Sequence, residues 1–102
     1  MLRTQPNFLV HTAAAVVALA LGAVLRLSPV EFAIVVLTVA LVLVVECLNT
    51  ALESVCDLVS PGMHPLVKRA KDISAAAVLI GAIGSVLIAI LVFGPHLVGM
   101  LK

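Results

Sequence analysis

An apolar run of fourteen residues, from Phe32 to Val45, most constrains the fold of this chain. Thr38 is the one polar residue inside it. With one or two more helical turns the run reaches the roughly 20 apolar residues that a membrane-spanning helix needs. The whole chain is 64% hydrophobic and 11% charged, far from the composition of soluble globular proteins. The sequence therefore predicts an all-α integral membrane protein.

Two further apolar runs flank the central one. We predict three transmembrane helices in a single membrane domain that covers residues 1–102, at about residues 8–25, 32–52 and 73–93. The formal net charge is +1, which provides no basic surface for nucleic acid.

Proline-containing sequences separate the predicted helices. Ser28-Pro29 is a helix break and restart signal, and Ser60-Pro61-Gly62 is a turn. His64-Pro65 predicts a new helix with proline in its first position. Gly94-Pro95 is predicted to end the third helix.

With three spans, the N-terminus and the second connection lie on the same side of the membrane. The basic residues on that side are Arg3, Lys68, Arg69 and Lys71, and those on the other side are Arg26 and Lys102. By the positive-inside rule, the N-terminus and the segment 53–72 are cytoplasmic and the protein is a multi-pass protein of the cell inner membrane.

Polar residues gather where the central run ends. Glu46, Asn49, Glu53 and Asp57 recur at offsets that place them on one face of a helix. An acid inside or at the edge of the membrane is expensive to retain and indicates a functional site. The alternative is a polar seam that joins helices, or a helix that simply emerges into water.

The residue types on this face suit phosphoryl transfer. Glu53 with a second acid would suit Mg²⁺, which commonly takes one or two carboxylates together with phosphate and water oxygens. Glu46, deeper in the apolar zone, could accept a proton from a hydroxyl. Lys71 offers a cation for a polyphosphate, and backbone amides at the helix start near His64 offer anion donors.

These residues also form two motifs that resemble a known family. The motifs are Glu46-x-x-Asn49-Thr50-Ala51-x-Glu53-x-x-x-Asp57 and His64-x-Leu66-x-x-x-Ala70-Lys71-Asp72, followed by Ala75-Ala76-Ala77-Val78-Leu79. Phe8 and His11 resemble a signature near the family's N-terminus. The chain is similar, from about Thr4 to about Leu91, to the prokaryotic diacylglycerol kinases, which include the undecaprenol kinases.

The resemblance implies a homotrimer of three-helix subunits with active sites shared between neighbouring chains. It implies an ATP- and Mg²⁺-dependent lipid kinase that phosphorylates the hydroxyl of a membrane lipid alcohol, either diacylglycerol or undecaprenol. Both lipids present a hydroxyl on an apolar body, and the branch that the N-terminal signature matches favours undecaprenol slightly.

The resemblance also implies roles for individual residues. Glu46 matches the catalytic base, and Asn49 and Asp57 are supporting groups. The residues expected to bind ATP are Gln5, Glu53, Gly62, Met63, His64, Lys71 and Asp72. The metal ligands are Glu53 and Gln5, and the residues expected at the lipid substrate are Phe8, Glu46 and Ala75.

Two residues depart from the family pattern. Gln5 replaces a second metal-binding glutamate, and Leu9 replaces an arginine. The family's N-terminal amphipathic surface helix is expected to be absent, which fits a shortened chain or a reduced homologue. Gln5 and the missing surface helix favour an alternative function, namely a non-catalytic oligomer that binds lipid or nucleotide, or an ion-conducting assembly. The pair Lys71-Asp72, which a cation pore does not need, favours the kinase.

The three histidines are weighed separately. His11 is either a packing or hydrogen-bonding group or a site residue. His64 either lies beside the phosphate-binding loop or caps the third helix. His96 lies on the far side, and the sequence assigns it no role.

Overall fold

The computed structural model describes residues 6–59 and 64–102, with side chains from Leu9 onward in the first range. These ranges form three helices, α1 (Pro6–Val24), α2 (Pro29–Val59) and α3 (Pro65–Leu101). The predicted all-α class is confirmed. Helix α2 packs against both α1 and α3, and the assembly of helices measures 57 × 23 × 21 Å.

Helices α2 and α3 are long and apolar enough to cross a membrane. Their 31 and 37 residues correspond to about 46 and 55 Å at about 1.5 Å per residue, against a hydrocarbon thickness of about 30 Å. Each helix is therefore longer than the hydrocarbon layer is thick. The described apolar part of α1, Leu9–Val24, is shorter.

A left-handed residue ends α1. Arg26 has a φ of 57°. The Leu27 amide donates to the Gly22 carbonyl at 3.1 Å, and the Arg26 amide donates to the Ala23 carbonyl at 3.3 Å. This is a Schellman ending, which usually has glycine at the left-handed position. A Cβ at Gly22 would lie 3.0 Å from Leu27 Cδ1, so a larger residue there would require the Leu27 side chain to shift slightly.

Arg26→Gly should stabilise the protein. Glycine adopts a positive φ without the clash between Cβ and carbonyl that arginine suffers, although it gains entropy in the unfolded chain. We expect a gain of about 0.5–1 kcal/mol in the free energy of unfolding, measured by denaturation in detergent micelles. Arg26→Ala is the matched control, because it removes the same side chain and keeps the clash. An equal gain in both variants would contradict the explanation.

Helix α2 begins with a capping box. Ser28 Oγ accepts a hydrogen bond from the Glu31 amide at 3.1 Å, and Glu31 Oε1 accepts one from the Ser28 amide at 2.9 Å. Pro29 occupies the first helical position, where no amide donor is needed. The predicted restart at Ser28-Pro29 is confirmed.

Helix α3 begins as predicted and ends later than predicted. His64 is its N-cap and accepts a hydrogen bond from the Leu66 amide on Nδ1 at 3.1 Å, with Pro65 next. The prediction that Gly94-Pro95 ends the helix is wrong, because α3 continues through Pro95 to Leu101. A glycine before proline has no Cβ to clash with the proline ring, which removes part of the usual barrier.

The end of α3 beyond Pro95 is attached to the start of α2. His96 Nε2 lies 3.1 Å from both carboxylate oxygens of Glu31. This contact, which was not predicted, stabilises the last turns of α3 beside α2.

The apolar core is thin and lies towards this same end. Val35, Val92 and Phe93 form its buried centre. Partly buried apolar residues surround them, namely Ala18, Leu19, Leu21, Leu25, Leu27, Val39, Ile88 and Ala89. Many large apolar side chains of all three helices remain exposed in a single chain. The contacts of α2 with α1 and with α3 show antiparallel packing, so the start of α1, the end of α2 and the start of α3 lie at the opposite end.

Candidate active site

Glu46 is the one buried charged residue in the described part of the chain. Its side chain is 3% exposed. Helix α2 is apolar for the four turns before it, so the helix carries this carboxylate into an apolar surrounding. A buried carboxylate is strongly unfavourable unless it has a partner. The predicted catalytic residue Glu46 is therefore buried at a position where an unpaired carboxylate would destabilise the fold.

The partner comes from α1. His11 Nδ1 lies 2.8 Å from Glu46 Oε1, and the His11 side chain is 26% exposed. The separation is that of an ion pair, while the angles are not those of a hydrogen bond. Neither of these two buried atoms has a hydrogen-bond partner among the described residues. His11 thus belongs to the site, which the sequence had left open.

Asn49 links α2 to α3 one turn further along. Its Oδ1 accepts a hydrogen bond from Ser74 Oγ at 2.5 Å, and its Nδ2 donates to Glu53 Oε1 at 3.4 Å. Glu46, Asn49 and Glu53 therefore follow one face of α2, as their spacing predicts. Ser74 was not predicted, because nothing in its own helix marks it as a partner of α2.

Ser74→Ala should weaken the contact between α2 and α3. The change leaves the half-buried Asn49 Oδ1 without its donor, and we expect a loss of about 1 kcal/mol in the free energy of unfolding. Ser85→Ala is the control, because the Ser85 hydroxyl donates to the Ala82 carbonyl within α3 itself. Denaturation of both variants in the same detergent measures the difference. Equal losses would show that the bond between helices contributes nothing specific.

Lys71 joins α3 to the end of the same face. Its Nζ lies 2.7 Å from Asp57 Oδ1. The hydrogen bond to Asp57 raises the pKa of Lys71 above its ordinary value, and the charges of Asp57 and Glu53 contribute as well. Lys71 therefore contacts Asp57 directly, and its partly exposed side chain lies beyond the apolar run.

Other predicted residues lie apart from this cluster. Asp72 pairs with Lys68 along α3 at 2.8 Å and is exposed. His64 caps α3, which is the structural role considered for it. Ala75 is exposed on α3 beside Ser74.

Several predicted residues lie outside the described part. They are Gln5, Gly62, Met63 and the side chain of Phe8. Their predicted roles at the nucleotide, the metal and the lipid stay predictions.

The donor set around Glu53 fits a magnesium ion that relies mainly on substrate oxygens. Within residues 6–59 and 64–102, no three His, Cys, Asp or Glu residues form a metal-binding group. Glu53 is half-buried, and its described contact is the long one from Asn49. Mg²⁺ often takes only one or two carboxylates and completes its shell with water and phosphate oxygens. Glu53 is therefore the described carboxylate that could serve as a protein ligand for such an ion.

An apolar cavity of about 360 Å³ lies between the three helices and reaches His11. Small side chains of α1 and α3 leave this space, among them Ala14, Ala18 and Ala82. The cavity connects the core region to the neighbourhood of the buried carboxylate.

Fold and site together define a small helical membrane protein with a buried acid, an amide, a second acid and a lysine at one end. The family model for prokaryotic diacylglycerol kinase matches residues 1–93. The chain belongs to the prokaryotic diacylglycerol kinase family. The resemblance inferred from the two motifs is confirmed.

Curated relatives agree with the family match. The chain is 42% identical over 95 residues to the undecaprenol kinase of Bacillus subtilis. The match covers 93% of this chain and 77% of that protein. It is 41% identical over 99 residues to a diacylglycerol kinase of Synechocystis, and the match covers 96% of this chain and 57% of that protein. It is 36% identical over 74 residues to the diacylglycerol kinase of Escherichia coli, and the match covers 72% of this chain and 61% of that protein. The chain thus spans less than two thirds of the last two proteins.

These names are the names of lipid kinases, and the predicted enzyme class is confirmed at the level of the family.

Proposed function

We propose that this protein transfers the γ-phosphoryl group of ATP to the hydroxyl of a membrane lipid alcohol at the cytoplasmic membrane surface. The observation that carries the proposal is the buried Glu46 at the same end of the helices as Glu53 and Lys71. A proton acceptor in an apolar surrounding, beside residues suited to a charged phosphate, is what a kinase acting on a lipid requires.

Glu46 is the proposed base. The O–H bond of the lipid hydroxyl breaks, and its proton passes to the Glu46 carboxylate. The lipid oxygen bonds to the γ-phosphorus as the bond from that phosphorus to the bridging oxygen of ATP breaks. The products are the lipid phosphate and ADP, and the base recovers by releasing its proton to water.

Lys71 is the proposed counter-charge for the phosphates. In the described structure it pairs with Asp57, and the two side chains are 40% and 67% exposed. Water and salt screen an exposed ion pair of this kind, so a triphosphate can displace Asp57 at little energetic cost. Lys71 can thus exchange Asp57 for a phosphate oxygen when the nucleotide binds.

Glu53 is the proposed protein ligand for Mg²⁺. The ion, when bound with ATP, would neutralise negative charge on the phosphate oxygens. Gln5 is proposed as a second, neutral ligand, on the family resemblance alone.

We also propose that three copies assemble around shared active sites, with three spans per chain and with the N-terminus and segment 53–72 in the cytoplasm of the cell inner membrane. The large apolar side chains that a single chain leaves exposed give partners and lipid ample surface to cover. Among residues 6–59 and 64–102, the proposed nucleotide-binding Asp72 pairs with Lys68 of its own helix, which leaves room for a contribution from a neighbouring chain.

A lipid-phosphorylation panel tests the function. The purified protein in mixed micelles receives labelled Mg-ATP with diacylglycerol, with undecaprenol or with no added alcohol, and the labelled lipid is extracted. We expect label in at least one lipid alcohol, with undecaprenol preferred. Gln5→Glu in the same panel should raise the rate if residue 5 contributes to the metal. Absence of lipid label under all conditions would overturn the proposal and favour a non-catalytic oligomer.

A further inference from the structure

Two buried polar atoms of different helices depend on one another. Glu46 Oε1 and His11 Nδ1 are 2.8 Å apart, and each is without a hydrogen-bond partner elsewhere in the described part of the chain. Nearby polar groups of α2 do not reach this oxygen. The Thr50 hydroxyl donates to the Glu46 backbone carbonyl, and Asn49 is engaged with Ser74 and Glu53. His11 is therefore the group on which this carboxylate oxygen relies.

The chemistry of the two groups decides how they pair. An imidazole nitrogen either donates or accepts, and a neutral ring that donates from Nδ1 leaves Nε2 as acceptor. A carboxylate that is to act as a base must be ionised, and an ionised oxygen accepts hydrogen bonds. The pairing that serves a base therefore has the proton on His11 Nδ1. Hydrogen bonds in a catalytic site without substrate are often poorly aligned and tighten when substrate binds, which fits the close contact with imperfect angles.

We propose that His11 is a positioning residue for Glu46. By donating from Nδ1 to Oε1 it fixes the rotamer of the carboxylate, so that the second carboxylate oxygen is available for the proton of the lipid hydroxyl. The catalytic consequence of this inference rests on the proposed function. The pairing of His11 with Glu46 does not depend on it. His11 does not touch reacting atoms in this scheme, and its effect passes through Glu46.

Kinetics of two His11 variants test the role. His11→Leu removes the donor, and we expect kcat to fall about tenfold, with the KM for ATP changed by less than about twofold, because the lost interaction acts on the chemical step. His11→Asn keeps an N–H donor near the position of Nδ1 and should recover most of kcat. If His11→Leu does not fold, His11→Ala takes its place in the comparison. An unchanged kcat in His11→Leu, or an asparagine variant as slow as the leucine variant, would overturn the proposal.

A second histidine–glutamate pair supplies the matched control. His96 contacts Glu31 across α3 and α2 at the opposite end of the molecule. His96→Leu removes a comparable contact between helices and should leave kcat within about twofold, since it lies far from the chemistry. Equal losses of kcat in His11→Leu and His96→Leu would show a structural role only and overturn the inference.

A spectroscopic measurement separates this inference from the proposed function. The ¹⁵N chemical shift of His11 Nδ1 reports directly whether that nitrogen carries a proton. We expect the shift of a protonated nitrogen in the native protein and a clear change in Glu46→Gln. An unprotonated Nδ1 in the native protein would overturn the pairing even if the kinase is active. Inactivity towards every lipid, with a protonated Nδ1, would instead refute the proposed function alone.

Discussion

Glu46→Gln should abolish lipid phosphorylation almost completely. Glutamine has nearly the same shape but cannot accept the hydroxyl proton, and loss of a general base typically lowers the rate by about 10²–10⁴-fold. The variant should still fold, because burying a neutral amide is less costly than burying a carboxylate. The measurement is labelled-lipid formation per mole of protein, beside the size of the assembly in detergent.

Glu31→Gln is the control for this variant. It removes one carboxylate from the same helix at the opposite end, and glutamine can replace glutamate in the capping box with Ser28. We expect near-native activity from it. If Glu46→Gln retained more than about a tenth of the native rate, the general-base assignment would be wrong, since a lost base should exceed that effect.

Glu53→Gln should shift the dependence on Mg²⁺. A neutral amide is a weaker ligand than a carboxylate for a hard cation, and changes around a metal site commonly reduce metal affinity by about 10–100-fold. We expect the Mg²⁺ concentration for half-maximal activity to rise by that factor, with partial recovery at high Mg²⁺. Activity titrated with Mg²⁺ at constant free ATP measures it.

Glu31→Gln again serves as the comparison, since it alters the charge of α2 by the same amount. A Glu53→Gln enzyme with a native Mg²⁺ requirement and reduced activity at every concentration would assign Glu53 another role. If Glu53→Gln had native activity and a native Mg²⁺ requirement, Glu53 would have no role in the site.

Local chemistry made the helix starts predictable. Ser28-Pro29 and His64-Pro65 carry their own caps, so a few neighbouring residues determine where α2 and α3 begin. Pro95 shows the limit of local signals. A proline usually ends a helix, but Gly94 relieves its clash and His96 is held by Glu31, which lies 65 residues earlier in the chain. The residues next to Pro95 in the sequence cannot predict such a tertiary contact.

The same distinction applies to the site. Glu46, Asn49 and Glu53 share one helix, so their common face follows from helical periodicity. Their partners His11 and Ser74 belong to other helices, and the period of α2 carries no information about which residue of a neighbour meets it. The family resemblance implies that Lys71 and Asp72 both bind the nucleotide, and this stays a prediction. Consecutive helical residues point about 100° apart, and the two side chains indeed bind different partners.

The small core has a further consequence for how the protein must be handled. The apolar residues buried within the described part of a single chain are Ala15, Val35, Cys56, Val92 and Phe93. So little internal burial means that detergent, bilayer or sister subunits must cover most of the apolar surface of a single chain, and whatever binds the folded protein preferentially raises its apparent stability. Melting temperatures are therefore comparable between variants only at one protein concentration and in one lipid mixture.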